Sequence, residues 1–145
     1  MSVQYCEQYL LDTLLAVHDF SSDTFMLALY DGNALFNSTT SVYTTDNEIA
    51  NGNGYTTGGQ ILTLVSTYPK IEQGQGAVRF VTPVEWTFDN GKLIKWALLY
   101  NASKSNKTIL SVELSKEVSA IGPFRLNFPL SAAPIINHRA PNIIG

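Results

Sequence analysis

Apolar and polar residues alternate on both sides of Asn90-Gly91, and this pattern constrains the fold more than any other feature of the sequence. The apolar positions are Val84, Trp86 and Phe88 before the pair, then Ile94, Trp96, Leu98 and Tyr100 after it. A period of two residues is typical of strands with one buried face. Asn-Gly favours the positive φ angles of a two-residue type I′ turn, so the pattern predicts a β-hairpin that turns at Asn90-Gly91.

Further strand signals occur along the chain and are separated by turn residues. They lie in residues 24–30, 61–65, 77–81, 110–114 and 124–130. Residues 24–30 are almost uniformly apolar, which predicts a strand buried on both faces and ended by Asp31-Gly32. About seven short strands predict an all-β fold, an antiparallel β-sandwich of jelly-roll or immunoglobulin-like type. This sandwich, with an N-terminal helix, is expected to form a single domain over residues 1–130.

Residues 3–18 are predicted to form an amphipathic helix with Ser2 as its N-cap. The predicted apolar face contains Tyr5, Cys6, Tyr9, Leu10, Leu14 and Val17, and the polar face contains Gln4, Glu7, Gln8 and Asp12. We expect the apolar face to pack either on the sheet of its own domain or on a neighbouring molecule. Cys6 is the only cysteine and is expected to be a small apolar side chain of the core.

A long polar connection, residues 31–59, is rich in Thr, Asn and Gly. Within it, Thr45-Asp46-Asn47-Glu48 matches a capping box and predicts a short turn of helix. A connection of this length in a compact domain is usually functional or docked, so Asn53 and Tyr55 are predicted to contact a partner. Residues 52–59 lack the Lys and Ser or Thr that follow the last glycine of a Walker phosphate loop, which favours a structural role for these glycines.

Residues 131–145 are predicted to form an extended C-terminal arm with two prolines and two isoleucine pairs. Proline excludes a helix or a central strand, while the isoleucines are too apolar for a free tail. The arm is therefore expected to lie on a partner, and a fold-back onto its own domain is the alternative. The predicted contact residues of the arm are Pro134, Ile135, Ile136, His138, Arg139, Ile143 and Ile144.

Charged residues are few and unevenly distributed. They make up 14% of the chain, against about 25% in ordinary globular domains, which favours a surface partly covered by a partner or a surface rich in Thr, Ser and Asn. Residues 1–69 carry seven acidic and no basic residues, and residues 70–145 carry nine basic and five acidic ones. Surfaces of opposite sign favour self-association or docking, and the acidic first half argues against nucleic acid.

No segment predicts a membrane partner or secretion. The apolar runs are shorter than the roughly 20 residues of a membrane span, and no signal peptide opens the chain, so synthesis in the cytoplasm is expected.

The residues do not form a constellation that points to catalysis, so an enzyme, a cofactor or a metal is not expected. His18 and His138 are the only imidazoles, and His18 is expected near a helix C-terminus, where a positive charge is favourable. A sugar-binding platform is an alternative use of the aromatic residues Trp86, Trp96, Tyr100 and Tyr55. The alternation around Asn90-Gly91 favours a core position for both tryptophans instead.

Three motifs occur in order along the chain. They are Asp46-Asn47-Glu48-Ile49, then GNGYTTGG at residues 52–59, then Trp96-Ala97-Leu98-Leu99-Tyr100-Asn101. This order, within residues 4–130, resembles a group of small structural proteins encoded among the virion genes of tailed bacteriophages. The resemblance implies a virion structural protein.

Within the particle we expect a capsid decoration or cement protein on the exterior of the head. The implied partners are the major capsid protein and further copies of this chain, as a homodimer or homotrimer. A tail, neck or baseplate component and a glycan- or receptor-binding module are the alternatives.

Overall fold

The computed structural model describes residues 1–127 and residues 136–139, the latter by their backbone pairing only. In this part of the chain strands dominate, and there is one short α-helix. The elements are β1 Ser2–Tyr5, α1 Glu7–Leu14, β2 Phe25–Tyr30, β3 Gln60–Ile61, β4 Lys70–Glu72, β5 Gln75–Val78, β6 Val84–Asn101, β7 Lys107–Leu126 and β8 Ile136–Arg139. The predicted all-β class with antiparallel strands and an N-terminal helix is confirmed. The jelly-roll or immunoglobulin-like sandwich type stays a prediction.

A long hairpin of β6 and β7 forms the frame of the molecule, and it does not turn at Asn90-Gly91. Strand β6 continues through that pair. Residues 84–88 pair with residues 122–126 of β7, and residues 89–91 form an irregularity in the register. Neither residue of the pair has the positive φ that a type I′ turn requires. The predicted turn is wrong because both flanking segments pair with β7 instead of with each other.

Five strands form the main antiparallel sheet in the order β1-β7-β6-β2-β3. Strand β2 lies between two cores: Leu27 and Leu29 belong to the larger one, and Ala28 and Tyr30 belong to the smaller one. The prediction that this strand is buried on both faces is therefore confirmed.

The predicted alternation along β6 holds in residues 84–88 but not in residues 94–100. The three apolar side chains of the first segment are buried. A register shift between Ile94 and Trp96 then changes which side chains share a face. Ile94 contacts the larger core, while Trp96 and Leu98 contact the smaller one. The prediction of one shared face is wrong because a bulge in a strand shifts the alternation by one residue.

The N-terminal segment divides into a strand and a short helix. Strand β1 pairs with β7 at one edge of the described main sheet, and α1 begins after Cys6 and ends at Leu14. The predicted helix over residues 3–18 is wrong in its first turn and at its end. Val3 and Tyr5 are residue types that favour strands, and the edge of β7 offers them backbone partners.

A second, smaller sheet has the order β4-β5-β8. Strand β8 pairs antiparallel with β5, with Ile136 opposite Val78 and Arg139 opposite Gln75. Residues 136–139 of the predicted arm thus pair with their own domain, as the fold-back alternative describes. The other residues of the arm lie outside the described part of the chain.

Candidate docking site on helix α1

Helix α1 exposes its leucines to solvent. Leu10, Leu11, Leu14 and the adjoining Leu15 are exposed by 56%, 50%, 84% and 62%. At about 100° per residue, these four positions fall within an arc of about 140° on the helix surface. We call these four residues the leucine face. Single exposed leucines are common on proteins, but a contiguous apolar patch is typical of an interaction site.

The opposite side of α1 is buried and contains an acidic residue. Tyr9 packs in the larger core, and the side chain of Asp12 is fully buried. The predicted apolar face is therefore divided, because Tyr9 points inward while Leu10 and Leu14 face solvent. Asp12, predicted on the polar face, lies inside. The hydrophobic periodicity of residues 3–18 predicted the wrong orientation of the helix. Periodicity does not show that the carboxylate of Asp12 has hydrogen-bonding partners on the buried side.

Three side chains contact the buried carboxylate of Asp12. Gln8 Nε2 donates a hydrogen bond to Oδ1 at 2.7 Å, and Lys107 Nζ lies 3.5 Å from the same oxygen. His18 Nε2 lies 3.3 Å from Oδ2. A buried carboxylate without such partners would cost several kcal/mol, so these contacts fix the helix to the start of β7 and to the segment that follows the helix.

His18 connects Asp12 to the end of β6. Asn101 Nδ2 lies 3.0 Å from His18 Nδ1 and donates to Asp23 Oδ2 at 2.8 Å. An amide nitrogen only donates, so Nδ1 of His18 accepts and the proton of the neutral ring is on Nε2. Burial lowers the pKa of His18, although the nearby Asp12 carboxylate acts in the opposite direction. His18 thus has a place in a buried network instead of the predicted role at a helix C-terminus.

Strand β1 directly precedes α1 in the chain. It lies at one edge of the described main sheet, where it pairs with β7. Val3 on this strand is 42% exposed. The candidate docking site therefore consists of the leucine face.

The sequence motifs that carry the family resemblance come together around Glu48. Tyr55 Oη and the backbone N–H of Gly58 each donate to Glu48 Oε1 at 2.7 Å, and Tyr43 Oη donates to Oε2 at 2.6 Å. Tyr100 Oη donates to the carbonyl of Gly58 at 2.7 Å. We call this group the Glu48 cluster.

The Glu48 cluster fixes residues 31–59 on β2 and β6. The predicted helical turn at residues 45–48 is wrong, because the Glu48 side chain reaches Tyr55 and Gly58 instead of capping a helix. The structure instead has a turn at residues 46–47 and a bridge between Tyr30 and Glu48. The residues of these motifs therefore have a structural role, because they hold a long loop against the sheet.

The two loop residues predicted to contact a partner differ in exposure. Asn53 is exposed, whereas Tyr55 is only 2% exposed and accepts a hydrogen bond from Leu29 N at 3.0 Å. Burial and the neighbouring Glu48 raise the pKa of Tyr55 well above its ordinary value, so its hydroxyl is a neutral donor. The prediction of a partner contact at Tyr55 is not compatible with this burial.

The predicted contacts of the C-terminal arm stay predictions. Ile136, His138 and Arg139 lie in β8, which the structure describes by its backbone pairing. Pro134, Ile135, Ile143 and Ile144 lie outside the described residues.

The sequence predicted a core position for Cys6, Trp86 and Trp96. Cys6 is fully buried, and burial raises the pKa of its thiol, which confirms the predicted core position. Trp86 is buried as predicted, and Trp96 is half-buried against Phe36.

Among the described side chains, no group of three acidic, histidine or cysteine residues could hold a metal ion. The helix in the described region is too short and too polar to cross a membrane.

Comparisons with family models, with curated proteins and with solved structures each found no match for this chain. Its described residues define it as a small all-β protein with an exposed apolar surface on its helix.

Proposed function

We propose that this chain is a virion structural protein of a tailed bacteriophage that docks on the outside of the head as a decoration or cement protein. The observation that carries the proposal is the leucine face of α1, which is exposed while a carboxylate is buried on the opposite side of the same helix. The order of the three motifs supports the bacteriophage class. The major capsid protein is the proposed docking partner.

The size of the leucine face supports an oligomer in this role. Burying the exposed parts of four leucines contributes on the order of 5 kcal/mol. Association costs about 4–15 kcal/mol in lost translational and rotational freedom. A single leucine face therefore does not hold a stable complex by itself. A homodimer or homotrimer presents several faces at once and gains affinity through multivalency.

The buried network supports docking by holding the leucine face in place. Asp12 contacts Gln8 within the helix, Lys107 on β7 and His18 after the helix. A surface that is already ordered loses less conformational entropy on binding. The long β6–β7 hairpin supplies the stiff frame to which this network is attached.

Labelled particles test the proposed function. We would purify particles of the phage that encodes this chain and label the chain with an antibody for electron microscopy. Label over the whole head is the expected result. Label at a single vertex would assign the chain to the neck or tail, and absence of the chain from purified particles would contradict a virion role.

A further inference from the structure

The side-chain amide of Asn101 is fixed in one orientation at the end of β6. It is fully buried, and its Oδ1 accepts a hydrogen bond from Ser103 N at 2.9 Å. Its Nδ2 donates to Asp23 Oδ2 at 2.8 Å and lies 3.0 Å from His18 Nδ1. Reversing the amide would turn Nδ2 toward the N–H of Ser103 and Oδ1 toward the carboxylate of Asp23, so both bonds would be lost. The amide therefore keeps Nδ2 toward His18.

This orientation requires the neutral form of His18. Nδ1 meets an N–H donor and must keep its lone pair, so the ring proton lies on Nε2, 3.3 Å from Asp12 Oδ2. A proton on Nδ1 would place two N–H groups against each other. The side chain of His18 is only 2% exposed, so water does not take the place of Asn101 as a partner.

We propose that His18 and Asn101 form an acid-sensitive latch that holds the connection between α1 and β2, residues 15–24, on the end of β6. When Nδ1 of His18 takes up a proton, its contact with Asn101 breaks and the connection loosens. The stack of Phe20 on Phe25, with ring centroids 4.7 Å apart, is apolar and does not change with pH, so the change stays local. Since the connection begins at Leu15, the latch acts on the C-terminal end of the leucine face.

The charged groups around the imidazole act in opposite directions. The carboxylates of Asp12 on α1 and Asp23 in the connection favour the protonated ring, while the ammonium group of Lys107 on β7 disfavours it. Lys104 Nζ lies 3.7 Å from Asp23 Oδ1 and offsets part of the charge of that carboxylate. These side chains therefore partly cancel one another at the ring.

Burial decides the direction in which the latch responds to pH. It is the largest effect on the ring and lowers the pKa of His18, so the latch opens only at a pH below 6.5, the ordinary pKa of histidine. The ring of Tyr9 lies 5.7 Å from that of His18, but burial raises the pKa of Tyr9 to about 12, so its hydroxyl stays neutral in this range.

Nitrogen NMR of the isolated full-length chain tests the latch in the wild-type protein. At about pH 7.5, the ring of His18 is expected to be the Nε2–H tautomer. On acidification, the Nδ1 resonance of His18 and the side-chain amide resonances of Asn101 should shift with the same midpoint. The Nδ1–H tautomer at neutral pH, or an Asn101 amide that does not respond when His18 titrates, would overturn the proposal.

Hydrogen exchange measures the loosening itself, as protection factors that correct for the intrinsic effect of pH on exchange. The protection of Ser103 N–H, which donates to Asn101, is expected to fall about tenfold between about pH 7.5 and about pH 5. The control is Ile49 N–H, which donates to the carbonyl of Leu29 at 3.0 Å and should keep its protection. An equal fall at both amides would show unfolding of the whole domain and would overturn the latch.

Two histidine variants identify the group that takes up the proton. Glutamine does not titrate, so His18→Gln should abolish the fall in protection at Ser103, whereas His138→Gln should keep it. A fall that persists in His18→Gln would assign the proton to another group and would overturn the proposal. Because these measurements use the isolated chain, failure of the latch and failure of the proposed virion role are separate results.

Discussion

Two segments of this chain are each held by a carboxylate, yet they present different surfaces to solvent. Glu48 fixes residues 31–59 by accepting hydrogen bonds from Tyr43, Tyr55 and a backbone N–H. Asp12 fixes α1 through Gln8, His18 and Lys107. A carboxylate with several partners therefore stabilises a polar loop in the first segment and a helix with exposed leucines in the second.

The two segments differ in how their exposed apolar side chains are arranged. The loop exposes large apolar side chains only at separated positions, such as Leu35 and Val42, whereas α1 and the adjoining Leu15 expose the four neighbouring leucines of the leucine face. Separated apolar residues are ordinary on protein surfaces, and adjacent ones form a patch. The Glu48 cluster therefore has a structural role, and the leucine face is the surface that we propose for binding.

The largest expected effect tests how closely the loop lies on the sheet. A Cβ atom at Gly59 would lie 1.9 Å from the carbonyl oxygen of Leu27, and Gly59 has a φ of +86°. We expect Gly59→Ala to lower the free energy of unfolding by about 4 kcal/mol, because the backbone of β2 must move. Gly52→Ala is the matched control, since its φ is +100° but no atom lies within 4 Å of the new Cβ.

The control variant Gly52→Ala should cost only about 1 kcal/mol, from the left-handed conformation alone. Urea denaturation of both variants measures the difference. Equal losses would show that the loop does not lie close to β2.

The next effect tests the Glu48 cluster. Glu48→Ala removes the acceptor of three hydrogen bonds and leaves the hydroxyl of the buried Tyr55 without its acceptor, so we expect a loss of about 3 kcal/mol in unfolding free energy. Asp46→Ala, at an exposed position two residues earlier, should change it by less than about 0.5 kcal/mol. A Glu48→Ala variant as stable as Asp46→Ala would remove the argument that the motifs are structural.

A smaller loss is expected beneath the helix. Asp12→Ala should lower the free energy of unfolding by about 2 kcal/mol, because Gln8 and His18 lose a partner while Lys107 remains partly exposed to water. Glu7→Ala, exposed on the same helix, is the control and should cost less than about 0.5 kcal/mol. An Asp12→Ala variant that gains stability would show that the leucine face is not held by this network.

A pH titration gives the next effect. The pKa of His18 is lower in the folded protein than in the unfolded chain because of burial, so the unfolded chain binds the proton more readily. Stability should therefore fall as the pH falls below about 6.5, by at most about 1.4 kcal/mol per pH unit for one proton. Asp12, Asp23 and Lys107 act on the same ring.

The control for this titration is the other histidine of the chain. His18→Gln should remove the dependence of stability on pH between pH 6.5 and pH 5, and His138→Gln should keep it. Chemical denaturation at a series of pH values measures both. A slope that persists in His18→Gln would assign the proton to another group.

The sequence predicted the parts of the fold that depend on local pattern. The all-β class, the buried strand at residues 25–30 and the inward positions of residues 84–88 follow from hydrophobic period. The turn at Asn90-Gly91 was predicted wrongly because its turn propensity is local, while the pairing of both flanking segments with β7 is set by residues some 30 positions away.

The candidate site was harder to predict than the fold. The leucines of α1 occur at helical spacing, and that spacing does not say which face is buried. The orientation depends on Asp12 meeting His18 and Lys107, which is a contact between distant parts of the chain. The sequence signal for this site was the group of four leucines at positions 10, 11, 14 and 15. These leucines fall on one arc of the helix surface, and Tyr9 and Asp12 lie outside that arc.

The proposed docking through helix α1 can be tested by measuring how variants bind to head particles that lack this chain. Leu11→Ser/Leu14→Ser changes the leucine face, and Leu35→Ser changes a leucine that is as exposed as Leu14, at 84%, but lies in the loop. We expect the double variant to stay folded and to bind particles on the order of thirtyfold more weakly, whereas Leu35→Ser should bind like the wild type. Wild-type affinity of the folded double variant would contradict the assignment of docking to helix α1.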